Sequence, residues 1–415
     1  MKTIKAAKKS KFAAGLLALC LGAGLLAGCG QSAASLDKSA FLYDMSAITV
    51  PDTVRLVALG EASHGASELQ QMKADVFQAL VANGDCRVFA IEGDFGGCAK
   101  VDEYIHGGAG TAQEAVGQIG FRIYRTQELA DLVEWMRDYN QTAPVGQDLH
   151  FAGFDMQRYD NNKAYLLQYL ADAAPELEAS YREKFETLTD ETMYDLPQET
   201  LSAAQRDLET LMQEMEQTLP VAQQDEAFAF ARQCAQSMLE NTQLRQSTSQ
   251  YNALRDAAMK NKVDWLCERY DGQIFLNGHN GHIAKVSAVG YDCMGAQLAQ
   301  SYGDAYFAIG TDVATCRFNG QTGDGYQEFT VENKNALTSQ LAGAPGNAYY
   351  LDFAAVAADP AWQAVLGSTQ KMMALNVTFD AWQKWISATH TLRVVPQDSY
   401  NAVIVLNSTT PTHLL

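Results

Sequence analysis

Short apolar runs alternate with longer amphipathic stretches along most of this chain. Stretches with apolar residues at helical spacing include Glu68–Val81 and Thr126–Tyr139. The apolar runs between and beyond such stretches are Val54–Leu59, Arg87–Ile91, Leu149–Phe154, Ile274–Asn277, Ala305–Ile309, Ala348–Phe353 and Asn401–Leu406. Because strands that alternate with helices usually form a parallel sheet, the pattern predicts an α/β fold with a mostly parallel central sheet flanked by helices.

The pattern changes between about residues 161 and 262. This segment is rich in Gln and Glu, lacks glycine and keeps helical spacing in AQRDLETLMQEMEQTL and AFAFARQCAQSMLENTQLRQ. Such spacing is typical of amphipathic helices that bury one face. We expect a helical insertion that packs over the sheet and forms part of a cleft.

The first 28 residues have the composition of an export signal. Five lysines precede an apolar stretch from Phe12 to Leu26, which is too short for a confident membrane span. The stretch ends in Leu26-Ala27-Gly28-Cys29, which resembles the bacterial lipobox, so Cys29 is the expected lipidation site. We therefore predict a signal peptide (1–28), a lipid-anchored tether (29–45) and a catalytic domain (46–415), exported and facing outside the cytoplasm.

The chain is acidic, with a formal net charge of -19. Loss of the signal lysines makes the mature protein more acidic still, so nucleic acid and anionic membrane surfaces are poor partners. The N-terminal lipid is then the expected membrane attachment. Six cysteines remain outside the signal and the lipidation site, none with CxxC spacing, so disulfides are permitted but no zinc ribbon or redox motif is indicated.

Acidic residues and histidines follow several of the apolar runs where those runs end. The six positions concerned are Glu61, His64, Glu92, Asp155, His279 and His282, of which all but Asp155 are the candidate catalytic residues. Parallel strands bind ligands at their carboxyl edge, so polar groups repeatedly placed at that edge predict a catalytic pocket.

The segment Gly60-Glu61-Ala62-Ser63-His64-Gly65 follows the first strand. Histidine is the natural base near neutral pH, and a nearby carboxylate can orient it, so His64 is the leading general base. Ser63 is a poor nucleophile candidate, because the GxSxG elbow needs glycine where this chain has Glu61.

The segment Gly278-His279-Asn280-Gly281-His282 supplies two imidazoles that can contact substrate or a metal. Together with the carboxylates and His64 they offer enough ligands for a divalent ion, although the spacing matches no strong signature such as HExxH. We therefore predict no cofactor and leave a divalent metal open as an alternative.

Two cations are candidate substrate-binding residues. Arg255 lies on the predicted helix just before the His279 strand, where a guanidinium can bind a carbonyl or carboxylate oxygen. Lys73 lies on the helix after the first motif. For each of them, a structural salt bridge is an equally good interpretation.

The order of these motifs resembles that of the erythromycin esterase family. The motifs are GEASHG, VFAIEGD, FRIYRTQELADLVEWMRDYN, LHFAGFDMQ, YNALRDAAMKNKVDWL and GHNGHIAK, and the likeness covers nearly all of the mature chain. The resemblance implies an α/β core with a deep cleft, in which His64 activates water to open a macrolide lactone ring. It also implies that Glu61, Glu92, His279 and His282 surround this histidine and that Arg255 contributes.

Two departures from the family leave the substrate undefined. Phe121-Arg122-Ile123-Tyr124 stands where the family often has more aromatic residues, and Asn277-Gly278 replaces an apolar residue and alanine. We expect a carboxylic ester hydrolase that acts on a small-molecule ester or a macrolide. The alternatives are a metal-dependent hydrolase that uses the same residues and a surface lipoprotein that binds a solute without catalysis.

Overall fold

A computed structural model of the protein describes residues 36–219 and 224–415. The strands are β1 (Leu56–Glu61), β2 (Val88–Asp94), β3 (His150–Asp155), β4 (Ile274–His279), β5 (Tyr306–Thr322), β6 (Gly325–Glu332), β7 (Ala348–Asp352), β8 (Gln370–Met373), β9 (Thr391–Val394) and β10 (Ala402–Ser408). The helices are α1 (Ser67–Asn83), α2 (Phe95–Ile105), α3 (Ala112–Val116), α4 (Gln127–Thr142), α5 (Asp160–Ala173), α6 (Pro175–Arg182), α7 (Gln198–Thr218), α8 (Glu226–Gln246), α9 (Tyr251–Arg269), α10 (Asn280–Ile283), α11 (Met294–Tyr302), α12 (Pro360–Leu366) and α13 (Pro396–Ser399).

One mixed sheet organises the molecule. Its strand order is β3-β2-β4-β1-β5-β10-β7, with β6 paired to the second half of β5. The first six of these strands run parallel, whereas β7 and β6 are antiparallel to their neighbours. The predicted α/β fold with a mostly parallel central sheet flanked by helices is confirmed.

Both faces of the sheet are covered, which explains why its strands are continuous apolar runs. Every residue of β1 and β2 is buried. One face packs against α1 and α4, with Phe77 and Val133 in that core. The other face packs against α9 and α11, with Met259 and Leu298 in its core. A parallel sheet enclosed in this way needs hydrophobic side chains on both faces.

The predicted insertion is helical. Residues 161–262 include most of α5, all of α6 to α8 and the first two thirds of α9. Helices α5 to α8 enclose a separate apolar core around Leu208 and Met238, whereas α9 returns to the sheet through Met259. Glycine-free helices with one apolar face therefore build a small bundle beside the main domain.

The N-terminal boundary needs a correction. The predicted signal peptide and the lipidation site Cys29 lie outside the described residues. Residues 36–45, which we assigned to the tether, pack on the domain. Phe41 is buried and stacks on Tyr349 with ring centroids 3.9 Å apart, and Leu42 pairs with Tyr350. The domain therefore includes residues 36–45, because these apolar side chains cover the β7 edge of the sheet.

Two further β elements escaped prediction from the sequence. Strand β5 is much longer than its apolar run and continues into a hairpin with β6, and β8 pairs with β9 outside the main sheet. Residues 36–219 and 224–415 contain no helix long and apolar enough to cross a membrane. The six cysteines in the same ranges are unpaired.

Candidate active site

The sheet topology gathers the predicted residues at one edge. Strand β4 lies between β1 and β2, so Glu61 at the end of β1 pairs in register with His279 at the end of β4. The β2–β3 register shifts between Ile91 and Asp94. Such a bulge re-aims side chains, and Glu92 lies within it. Residues far apart in sequence thus meet at the carboxyl ends of three neighbouring strands.

The glycines of the first motif permit close backbone approach. A Cβ at Gly60 would lie 2.1 Å from the Asn280 side chain, and one at Gly65 would lie 2.0 Å from the Asn319 carbonyl oxygen. Asn280 donates hydrogen bonds to the carbonyls of Thr311 and Met373, at 2.8 and 2.9 Å. These contacts fix the turn that carries the two histidines after β4.

Glu61 orients His64. The Glu61 carboxylate lies 2.9 Å from His64 Nδ1, and both side chains are buried. Burial acts to raise the pKa of Glu61, but the Lys73 ammonium and His64 outweigh it and lower that pKa. Glu61 is therefore ionised and accepts the Nδ1–H of His64, which leaves Nε2 as the nitrogen free to take a proton.

Two side chains of α1 hold Glu61. Gln70 donates to Glu61 Oε1 and to the His64 carbonyl, both at 2.8 Å, and Lys73 Nζ lies 3.1 Å from Glu61 Oε1. Burial lowers the pKa of Lys73, and Glu61 offsets part of that effect. The prediction that Lys73 binds substrate is wrong in this structure, because its fully buried side chain lies behind Glu61.

His279 is neutral. The Gly281 N–H donates to His279 Nδ1 at 3.2 Å, so the ring proton lies on Nε2. Burial, helped by His64 and His282, lowers the pKa of His279 to about 3. Its Nε2 is buried and has no hydrogen-bond partner among the described residues. With ring centroids 5.7 Å apart, His279 and His64 are neighbours. The site thus contains an unused N–H donor beside His64.

Arg255, on α9, contacts three side chains at the carboxyl edge of the sheet. Its Nη2 donates to Glu92 Oε1 and Asp155 Oδ2, both at 2.6 Å, its Nε donates to Asp155 and its Nη1 lies 3.0 Å from His282 Nε2. Burial raises the pKa of Glu92, but His282 and Arg255 bring it well below its ordinary value. Four of the five N–H groups of Arg255 are used, so its main contacts are structural.

His282 is held by Asp256, the residue after Arg255. The Asp256 carboxylate oxygens lie 2.9 and 3.0 Å from His282 Nδ1. Burial opposes protonation, but Glu92 and Asp256 raise the pKa of His282. The contact with Arg255 Nη1 requires neutral His282, because a protonated ring would set two cations against each other. Protonating His282 would therefore open this contact.

A cavity of about 230 Å³ lies beside the histidines. Its lining includes His279, His282, Val289, Asn376 and Leu392. Part of the wall belongs to the segment between β8 and β9, which the sequence did not identify. The insertion contributes Arg255 and Asp256 through α9, so the expectation that it forms part of the cleft holds for that helix.

The structure brings all six predicted carboxyl-edge residues together, with Asp155 joined to Glu92 through Arg255. Sequence reasoning missed Gln70, Asp256 and Tyr124, the last of which packs edge-on against His64 with ring centroids 5.9 Å apart. Asp256 had a usable signal, since it directly follows Arg255 on a helix already assigned to the site. Gln70 and Tyr124 had none, because isolated amide and aromatic residues are common in helices and loops.

The family model and the curated relative both point to erythromycin esterases. The Erythromycin esterase family model matches residues 81–409. Glu61, His64 and Lys73 precede that range, whereas Glu92, Arg255, His279 and His282 lie within it. An erythromycin esterase type II from Escherichia coli is 31% identical over 112 residues, which are 27% of this chain and 25% of that protein. The match with this relative therefore spans a quarter of its length.

Solved structures share the fold over almost the whole chain. A protein from Bacillus cereus superposes with a TM-score of 0.77 at 21% identity, covering 90% of this chain and 92% of the other. A succinoglycan biosynthesis protein gives 0.75 at 20% identity, covering 89% and 91%. An erythromycin esterase mutant in an open conformation gives 0.66 at 16% identity, covering 88% and 93%. At these identities the likeness concerns the fold alone.

Proposed function

This chain belongs to the erythromycin esterase family, which indicates a hydrolase, and we propose from that premise that it hydrolyses a carboxylic ester with water activated by His64. The observation that carries the proposal is the buried Glu61–His64 pair at 2.9 Å, beside a neutral His279 with an unpartnered Nε2. A base and a hydrogen-bond donor next to each other are what water attack on a carbonyl requires.

His64 acts as the base in the first step. The His64 Nδ1–H stays hydrogen-bonded to Glu61. Its Nε2 accepts one proton of a water molecule while the water oxygen bonds to the ester carbonyl carbon. The carbonyl π pair moves onto its oxygen and gives a tetrahedral oxyanion. Glu61 stabilises the imidazolium that forms, and Gln70 and Lys73 keep Glu61 in place.

His279 stabilises the oxyanion. Its low pKa keeps the ring neutral at ordinary pH, and its Nε2–H is already oriented by the Gly281–Nδ1 contact. A fixed donor in a water-poor site is worth more to the developing charge than water is. When the intermediate collapses, the alkoxide leaves with the proton from His64, so no acyl-enzyme forms and the base is restored.

The donor geometry supports a reaction without a metal. Each histidine of the site already has its own partner, and Lys73 and Arg255 place positive charge against Glu61 and Glu92. Metal ligands need donors that converge on one point without a competing cation. We therefore propose that the site works without a cofactor, and that loss of turnover on chelation would instead indicate the metal-dependent alternative.

The substrate is proposed to be bulky and partly apolar. The β8–β9 segment that lines the cavity exposes Trp382, Trp385 and Ile386, with relative exposures of 56%, 79% and 48%. These three side chains do not line the cavity themselves, but exposed apolar residues on a segment that does are candidates for contact with a substrate. A macrolide fits this chemistry, as does a smaller apolar ester, and the match with the Escherichia coli erythromycin esterase supports testing macrolides first.

We also propose that the mature protein is exported and lipid-anchored through Cys29. The support is the basic N-terminus, the apolar stretch and the lipobox-like residues before Cys29. Mass spectrometry of the membrane fraction tests this, since a diacylglyceryl adduct on Cys29 is expected. A soluble mature chain starting elsewhere would contradict it.

The decisive experiment is mass spectrometry of the purified protein incubated with macrolides and aryl esters in ¹⁸O-labelled water. We expect products that gain one labelled water, and no turnover by His64→Ala. His413→Ala is the matched control, because that exposed histidine also contacts a carboxylate, Glu128, but lies outside the site. Turnover by His64→Ala would refute the assignment of the base. A compound bound tightly and recovered unchanged would favour the solute-binding alternative.

A further inference from the structure

A second group of histidines and a carboxylate lies at the opposite edge of the sheet. Asp102 and His106 are one turn apart at the end of α2, and His150 begins β3. One donor atom from each of the three side chains lies within 4.8 Å of the others. We call these three residues the amino-edge cluster. Since β3 ends at Asp155 in the candidate active site, the two groups are separated by about 17 Å of strand.

The spacing of the donors suits a small transition-metal ion. Asp102 Oδ1 lies 3.7 Å from His150 Nδ1, and a ring nitrogen of His106 lies within 4.8 Å of the donor atoms of both residues. Zinc bonds of about 2.0–2.1 Å place two tetrahedral donors about 3.3–3.4 Å apart. For Asp102 and His150, a shift of a few tenths of an ångström is enough to reach this separation.

The hydrogen bonds around the amino-edge cluster leave one ring nitrogen of each histidine free to bind a metal. The His106 Nδ1–H donates to the Asp102 carbonyl at 2.8 Å, so Nε2 keeps its lone pair, and metal-bound histidines usually give their other N–H to such an acceptor. His150 Nδ1 is buried without a hydrogen-bond partner, while its ring packs on Tyr270 with centroids 4.7 Å apart. The Phe151 N–H donates to Asp102 Oδ1 at 2.8 Å and orients the carboxylate.

No lysine or arginine of the described residues forms an ion pair with Asp102, whose charged-group contacts are the two imidazoles. All three side chains are about one third exposed, which gives an ion a path from solvent. Asp102 also lines a cavity of about 250 Å³ with Tyr270 and Trp265, so water can complete the coordination. The unpartnered imidazole nitrogen of His150 and a carboxylate that pairs with no described lysine or arginine are the two features that a metal would satisfy.

We propose that Asp102, His106 and His150 bind a divalent transition-metal ion of the zinc class. Two imidazoles and one carboxylate are ligands that zinc commonly takes, with water in the remaining position. The ion links the last turn of α2 to the first residue of β3. Its function is structural, because it ties the end of α2 to the start of β3, away from the candidate active site.

Titration of the metal-free protein with Zn²⁺ and Co²⁺ tests the site. We expect one equivalent to bind by calorimetry, visible absorption from bound Co²⁺ and a higher Tm with Zn²⁺. His106→Asn and His150→Asn should each weaken binding at least tenfold. His413→Asn, which changes an exposed histidine paired with one carboxylate, should bind as the unaltered protein does.

The same titration separates this site from the candidate active site. Binding that survives His64→Ala but is lost in His150→Asn supports the inference and is independent of the proposed hydrolase. Binding lost in His64→Ala and kept in His150→Asn would place the metal at the carboxyl edge and overturn it. Absence of binding by the folded protein would overturn it as well.

Discussion

The two edges of the central sheet carry histidines and carboxylates in opposite arrangements. At the carboxyl edge, His64, His279 and His282 each have a separate partner, and Lys73 and Arg255 neutralise the nearby carboxylates. At the amino edge, His106 and His150 share Asp102, which forms no ion pair with a lysine or arginine in the described part of the chain. At the carboxyl edge each histidine therefore faces its own partner, whereas at the amino edge both histidines face one carboxylate.

This difference separates proton chemistry from metal binding. A base needs one free nitrogen, a fixed tautomer and a counter-charge, and His64 has these through Glu61. A metal needs several lone pairs directed at one point and gains nothing from a nearby guanidinium. Counting histidines along a sequence cannot distinguish the two cases, because the outcome depends on which partner each nitrogen finds.

The largest expected effect comes from Glu61→Gln. The amide keeps the shape but can no longer stabilise the imidazolium, and its N–H₂ can turn toward His64 Nδ1 and select the wrong tautomer. We expect kcat to fall by about 10³-fold or more, with KM changed little. Steady-state kinetics on an ester turned over by the unaltered protein measures this.

Asp102→Asn is the matched control for that change, since it neutralises the carboxylate of the other cluster. It should leave kcat within about twofold and abolish zinc binding. An equal loss of turnover in both variants would break the proposed division between the edges.

Next in size is the effect of Arg255→Met on stability. Removing the guanidinium leaves Glu92 and Asp155 buried without their cation, and breaking a buried pair in this way costs about 3–5 kcal/mol. We expect the free energy of unfolding by urea to fall by that amount. Arg255→Lys should restore part of it, because lysine keeps the charge but not the bidentate contacts. A stability equal to that of the unaltered protein would show that Arg255 is dispensable to the edge.

Metal removal should have a smaller effect, confined to the amino edge. A ligand present at a hundred times its Kd stabilises a protein by about 2.7 kcal/mol. Chelation of the zinc-loaded protein is therefore expected to lower Tm by several degrees while kcat stays unchanged. If chelation abolished turnover and only one added metal restored it, the metal would be required for catalysis and the separation of roles between the two edges would be wrong.

The last expected effect, the smallest when counted per pH unit, is a change in how stability depends on pH. The pKa of His279 is about 3 in the folded protein, against about 6.5 when the chain is unfolded. Between these values the unfolded state binds a proton that the native state does not, so stability falls as pH falls, by at most about 1.4 kcal/mol per pH unit. His279→Gln removes this contribution. Unfolding free energies measured from about pH 7 to about pH 4 should decline less steeply in the variant, and parallel slopes would contradict the assignment.

Much of the fold was accessible from the sequence, and the site partly so. The buried parallel strands were found because both faces must be apolar, which leaves continuous runs such as Val88–Ile91. Strand β6 has one mostly exposed face and alternating polar residues, so it gave no such run. The corrected boundary at residues 36–45 has a similar cause, since apolar side chains in a short stretch without clear periodicity do not reveal the surface that they cover.

The sequence by itself determined the fold class, the helical insertion and the set of polar residues at the carboxyl edge, because periodicity and strand ends are local properties. The tertiary structure alone decided which partner each of these residues has. Glu61 rather than Glu92 contacts His64, Lys73 lies behind Glu61 instead of facing substrate, and His106 meets His150 across the start of β3. Those pairings depend on side-chain packing and strand order, which also bring Arg255 to Glu92 across 163 positions and have no signature in local composition.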